Sequence, residues 1–259
     1  MTYSFSNSAS TGHEQLDLLA SLLDGKTQGH IEALDLPEAA QCWIPGAGSG
    51  TIARWLAERD PQGLVLATDI DPKIDEPLPK NLIIEVHDLT TDPYRTGWDL
   101  IAIRLVLCHL PQRQQILQQM AAALKPGGWL LIEDWGWSAP PSAYAAPTPA
   151  DAALFDTMSD ANLTQLQDRG ADPAWAESLQ QHMDQHLTDV QGWRYDERWE
   201  GGSPGCRLHA INLAQHRERL LADGITADEL DRAAALLTDP ALRTYAYALH
   251  ACAGRRPPL

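Results

Sequence analysis

Trp43-Ile44-Pro45-Gly46-Ala47-Gly48-Ser49-Gly50-Thr51 decides the fold of this chain. Residues 40–45 form a short apolar run that suits a strand. The alternating glycines then make a tight turn. Residues 51–59 follow as a helix with Ile52, Trp55 and Leu56 inward, stopped at Asp60-Pro61. A strand, a glycine turn and a helix start bring backbone N–H groups together at a place where a ligand can approach the main chain closely.

The same alternation continues outward from that corner. Strands are expected at 64–68, 81–86, 98–104 and 129–134. A helix opened by Pro111 is expected between the last two, with Ile116, Leu117, Met120, Ala123 and Leu124 on one face and an end at Lys125-Pro126-Gly127-Gly128. Strands that alternate with helices imply a doubly wound parallel sheet, so the fold class is α/β and Rossmann-like. Upstream, residues 1–37 read as a helical cap. Thr11 and Glu14 form a capping box, Leu16, Leu19, Ala20 and Leu23 mark one face, and Asp24-Gly25 makes a break. Downstream, 138–149 is rich in Pro, Ala and Ser and reads as an exposed connection. Residues 152–187 look helical with a break near Gly170, and 189–199 and 244–252 read as strands. Two helices lie between those strands, the second capped by Thr226 and Glu229. The expected division is a cap at 1–37, a core at 38–137, a helical lid at 138–188 and a return to the same sheet at 189–259.

Ligand chemistry follows from the strand ends. Asp69 ends the second strand 19 residues past Gly50, where a carboxylate can accept both hydroxyls of a ribose. Asp88 follows the third, placed to accept from an adenine amino group. A dinucleotide needs a third Gly or Ala one place after Gly50, and Thr51 stands there.

These residues resemble the class I S-adenosylmethionine-dependent methyltransferases. The matching blocks are Gly46-Ala47-Gly48-Ser49-Gly50, Ala67-Thr68-Asp69-Ile70-Asp71, Arg104-Leu105-Val106-Leu107-Cys108-His109-Leu110-Pro111 and the run from Ala123 through Lys125-Pro126-Gly127-Gly128 to Asp134. Gly202-Ser203-Pro204, Asp228-Glu229-Leu230-Asp231 and Gly254-Arg255-Arg256-Pro257 look like an actinobacterial-type small-molecule subfamily of secondary metabolism. The resemblance implies a seven-stranded sheet with its final strand antiparallel and helical lid insertions. It implies S-adenosylmethionine, or its product S-adenosylhomocysteine, at Gly46, Ala47, Gly48, Gly50, Asp69, Ile70, Asp88, Leu89, Arg104 and Leu105. It also implies a small-molecule acceptor methylated on O, N or C. The sequence departs from the family at Ile44, where an acidic side chain usually helps to hold the methionine end of the cofactor. That departure keeps two other functions open: non-methylating chemistry on the same cofactor, such as cyclisation or rearrangement, and cofactor binding without catalysis.

His109, after the fourth strand, is the candidate general base, with a structural histidine as the alternative. Glu133 and Asp134 end the fifth strand beside it. Either could orient a substrate amine or a water, but capping or solvation is the plainer reading. Trp135 and Trp137 are the candidate substrate-pocket aromatics among a group that packs lid onto sheet. Tyr3 and His13 could cap the cofactor. His182 and His186 sit at i, i+4, but no third ligand emerges, so no metal is expected.

The net charge of −16 is spread along the chain, −9 over residues 1–137 and −7 over 138–259. It disfavours nucleic acid and anionic membrane as partners. The four scattered cysteines, with Cys42 and Cys108 in apolar runs, suit buried reduced thiols. With no signal-peptide pattern or membrane-length apolar run, the expectation is a cytoplasmic protein, with a homodimer allowed.

Overall fold

The computed structural model describes residues 10–258. Five strands run parallel: β1 (Gln41–Pro45), β2 (Leu64–Asp69), β3 (Leu82–Val86), β4 (Trp98–Arg104) and β5 (Leu124–Gly136). β10 (Ala248–Arg255) inserts antiparallel between β5 and β7 (Thr188–Tyr195). The seven-stranded order is β3-β2-β1-β4-β5-β10-β7, and β10, the last strand of the chain, is antiparallel to the rest as expected.

Alternating side chains of the central strands feed two cores on opposite faces. Ile44, Leu100, Ala102 and Leu131 meet Ile52, Leu56 and Ile31 on one face. Trp43, Ile101, Ile103 and Leu130 meet Ile116, Leu117 and Met120 on the other. The first face carries α1 (Ser10–Glu32) and α2 (Thr51–Arg59), and the second carries α3 (Arg113–Ala123). Strand order reverses at β1, between β2 and β4, so a crevice opens beyond the C-terminal strand ends there.

Several expectations are corrected. The first helix does not break at Asp24-Gly25 but runs on to Glu32. Long-range bonds hold this stretch: Asp24 pairs with Arg104 at 2.8 Å, and Thr27 donates to Glu133 at 2.5 Å. Thr11 lies inside the described helix rather than ahead of it; its side chain and Tyr3 lie outside the described residues. His13 is exposed on α1. Lys125-Pro126-Gly127-Gly128 does not precede the fifth strand but lies within it, where the pairing with β4 shifts register.

Each of the two late strands splits in two. After β7 the chain bends into β8 (Arg198–Glu200), and β9 (Arg243–Tyr245) precedes β10. β8 and β9 join β6 (Ala143–Ala145), from the segment expected to be only a connection, in a small sheet ordered β6-β9-β8. The segment expected as a lid contains α4 (Pro149–Gln167) and the short α5 (Leu179–Met183). His186 falls beyond the end of α5, so His182 and His186 do not share one helix. Two helices follow β8, α6 (Pro204–Ala222) and α7 (Ala227–Leu236). The capping box forms at α7, with Glu229 N–H donating to Thr226 Oγ1 at 3.2 Å and Thr226 N–H to Glu229 Oε2 at 2.8 Å. All four cysteines are buried and free, and burial pushes the Cys42 thiol up to about 12. Among the described residues, no helix is long and apolar enough to cross a membrane.

Candidate functional site

The glycine turn is shaped by its neighbours. Gly46, Gly48 and Gly50 have φ of +65°, +55° and +74°. A side chain at position 46 would run into Val106, and one at position 50 into Ile74, so both positions exclude side chains by space as well as by backbone angle. The turn is tied to the end of β2: Ala47 N–H donates to Thr68 O at 3.0 Å, and Gly48 N–H to Asp69 Oδ2 at 3.0 Å. The second Asp69 oxygen accepts from Asp71 N–H at 3.1 Å.

A cavity of about 360 Å³ opens at this corner. Gly46, Ala47 and Gly48 form one wall, and Asp69 and Ile70 continue it from the end of β2. Asp88 and Leu89 stand past β3; Arg104, Leu105 and His109 stand at and after the end of β4. The structure therefore brings together every residue proposed from sequence for the cofactor except Gly50, which instead precedes the first residue of α2. Ile70 is 53% exposed, an apolar group at the mouth of a polar loop. Leu105, the first residue past β4, adopts a φ of +55°, an uncommon angle for any residue but glycine.

Trp135 and Trp137 do not line this cavity. Trp135 stacks on Tyr247 at 5.2 Å, and Trp137 is buried beside the same tyrosine. Both tryptophans pack among the aromatics around Tyr247 rather than against the cavity.

The charged groups divide by environment. Asp88 accepts from the Thr90 hydroxyl at 2.6 Å and from its N–H at 2.8 Å, and these bonds hold its carboxyl below the usual range. His109 is partly exposed to the cavity, yet the apolar wall around it and the nearby Arg113 cation push it down to about 4. A neutral ring of that acidity can accept a hydrogen bond but is a weak base. Asp134 is fully buried, and burial pushes it up to about 7 although Cys108 N–H and Trp175 Nε1–H donate to it. Through Cys108 it holds the turn that carries His109.

A second polar group closes the cavity between α1 and the sheet. Thr27, Arg104 and Glu133 all line it. Glu133 is 1% exposed, with Oε2 receiving the Thr27 hydroxyl at 2.5 Å and Oε1 lying 2.5 Å from His30 Nδ1. His30 Nε2 lies 2.8 Å from the Tyr195 hydroxyl. Arg104 donates to Thr27 Oγ1 and to Asp24, each at 2.8 Å. Glu133 is thus neither a cap nor solvated, against the plainer of its two expected readings. The visible signal was a carboxylate inside an apolar strand, Leu130-Leu131-Ile132-Glu133-Asp134.

Comparison with known proteins agrees with this geometry. Residues 45–130 match a family model described as a methyltransferase domain. The chain is 39% identical over 110 residues to Methyltransferase str2 of Strobilurus tenacellus, covering 42% of this chain and 40% of that protein. It is 35% identical over 108 residues to trans-aconitate 2-methyltransferase of Variovorax paradoxus (strain S110), covering 40% of this chain and 41% of that one. The aligned region thus spans about two fifths of the length of the curated relatives it matches. Among solved structures, the fold is shared with phosphoethanolamine N-methyltransferase 2 of Haemonchus contortus, in complex with phosphomonomethylethanolamine and S-adenosylhomocysteine (TM-score 0.57, 12% identity, 98% of this chain and 58% of that one). It is also shared with the YcgJ protein of Bacillus subtilis (TM-score 0.53, 14% identity, 90% of this chain and 99% of that one). The glycine loop, β2, β3 and β4 therefore fall in a segment that matches a methyltransferase domain, carried on a fold found in solved methyltransferases.

Proposed function

We propose that this protein transfers a methyl group from S-adenosylmethionine to a small-molecule acceptor. One observation carries the reading: the glycine turn, Asp69 and Asp88 line one cavity at the strand reversal, inside the segment that matches a methyltransferase domain. The residues suit the cofactor. Asp69 is 8% exposed with a carboxylate at the cavity wall, fit for ribose hydroxyls, and Asp88 stands where an adenine amino group would need an acceptor. Ile70 and Leu89 offer apolar faces to a flat ring. When bound, S-adenosylmethionine supplies a methyl group already activated on a sulfonium, so much of the protein's task is positioning.

His109, Val106 and Leu110 wall the cavity on the β4 side, where an acceptor can enter. His109 there orients an acceptor as a neutral hydrogen-bonding group, a role that fits its depressed pKa better than that of a strong base. The acidic chain disfavours a nucleic acid as the acceptor. The natural-product setting rests on the C-terminal stretches that resemble small-molecule members. The test is transfer of tritiated methyl from S-adenosylmethionine over a panel of small hydroxylated, amine and carboxylate metabolites. Label in a product supports the reading; tight cofactor binding without label in any product counts against it.

A second reading, cofactor chemistry without methyl transfer, is favoured by the weakly basic His109 together with Ile44. Strong methylation by the wild type would remove it.

A further inference from the structure

We propose that Arg104 and Glu133 form a clamp for a zwitterionic α-amino-acid group, Glu133 taking the ammonium and Arg104 the carboxylate. This rests on the cofactor reading above and supplies the methionine-end contact that Ile44 cannot make.

Strand register places the two residues together. Ala102 pairs with Leu131, and Arg104 pairs with Glu133, so the two charged residues sit one pleat further toward the C-terminal strand ends, on the same sheet face as the apolar pair. Trp43 pairs with Ile101, which puts Ile44 in the apolar layer with Ala102 and Leu131. All five of Ile44, Ala102, Leu131, Arg104 and Glu133 line the cavity. An acid at position 44 would enter this space from β1; Glu133 enters it from β5, two strands away.

Burying an ionised side chain is expensive unless it has partners, and the protein provides them. Glu133 is held by Thr27 Oγ1 and His30 Nδ1, each at 2.5 Å, and Arg104 by Asp24 and Thr27 at 2.8 Å. These bonds fix the rotamers without removing either group from the cavity wall. A carboxylate can accept up to about four hydrogen bonds and a guanidinium can donate five, so both retain capacity for a ligand. One anion and one cation on adjacent strands, fixed before binding, complement a charge pair of opposite order.

The test is calorimetric and needs no turnover. S-Adenosylhomocysteine, its deamino analogue and methylthioadenosine, which lacks the amino-acid end altogether, are titrated into the wild type, Glu133→Gln and Glu133→Asp. The wild type should bind S-adenosylhomocysteine roughly 10- to 100-fold more tightly than the deamino analogue, the scale of a hydrogen bond to a charged group. Glu133→Gln should erase most of that preference while methylthioadenosine affinity stays within about threefold, and Glu133→Asp should restore part of it. Equal affinity of the wild type for S-adenosylhomocysteine and its deamino analogue overturns the clamp, whether or not the variants fold. Retention of the preference in a folded Glu133→Gln also overturns it. If the wild type binds methylthioadenosine but gains nothing from the amino-acid end, the clamp fails and the cofactor reading stands; if it binds none of the three, both fail.

Discussion

Asp69 holds the glycine loop by its own carboxylate: Oδ2 accepts from Gly48 N–H at 3.0 Å while the same side chain lines the cavity. One residue therefore shapes the loop and faces the ligand. Asp69→Ala should lose both roles. S-Adenosylhomocysteine affinity should fall at least about tenfold and stability by about 1–2 kcal/mol. Asp69→Asn keeps an acceptor for Gly48 and should recover most of the stability but not the affinity. Calorimetry beside urea denaturation of the two variants separates the roles.

Trp137→Ala should behave as a core deletion. Its side chain is 5% exposed beside Tyr247 and lies off the cavity wall. A stability loss of about 3–5 kcal/mol is expected, with cofactor affinity unchanged if the variant is folded at the assay temperature. A selective loss of ligand affinity without loss of stability would return Trp137 to the pocket.

His30→Ala should be costly although Asp24 and Thr27 also tie α1 to the strand ends. It removes a partner from a carboxylate that is 1% exposed. A loss of roughly 3 kcal/mol in urea denaturation is expected, the scale of breaking one side of a buried polar pair.

The pH dependence of stability should carry opposing signatures. Burial lowers His109 and His209 from 6.5 to about 4, so the unfolded chain binds protons that the native state does not. Stability therefore falls as pH drops from 6.5 toward 4 through these two groups. Asp134 has the reverse sign. Raised from 3.8 to about 7, it is protonated in the native state across a window where the unfolded chain has released the proton, so its contribution falls as pH rises through that window. Asp134→Asn removes the opposing group and should steepen the loss of stability on acidification. Denaturation midpoints at a series of pH values check this; a slope unchanged by the substitution contradicts the assignment.

Local punctuation made the first half of the fold legible. Asp60-Pro61 closes α2 at Arg59, and the apolar run ending at Arg104 bounds β4, so both elements fall where sequence placed them. Asp24-Gly25 misled because a local break signal was overridden by bonds to Arg104 and, a turn later, Glu133, partners 80 and more than 100 residues away. The bends between β7 and β8 and between β9 and β10 were hidden for a similar reason. Each pair reads as one strand, and only the pairing of β8 and β9 with each other and with β6 reveals the second sheet. In the site, Asp69 and Asp88 were legible because they follow strand ends. Glu133 was not, because its burial depends on which face of β5 meets α1.

On the proposed function, the cavity at Gly46, Asp69 and Asp88 holds S-adenosylmethionine and its product. Titration of S-adenosylhomocysteine into the wild-type protein, read by calorimetry and by melting temperature, decides whether it does. One site per chain and a melting temperature that climbs with ligand concentration are expected, with both the affinity and the climb reduced together in Asp69→Ala. No heat and no rise in melting temperature at millimolar ligand would contradict it.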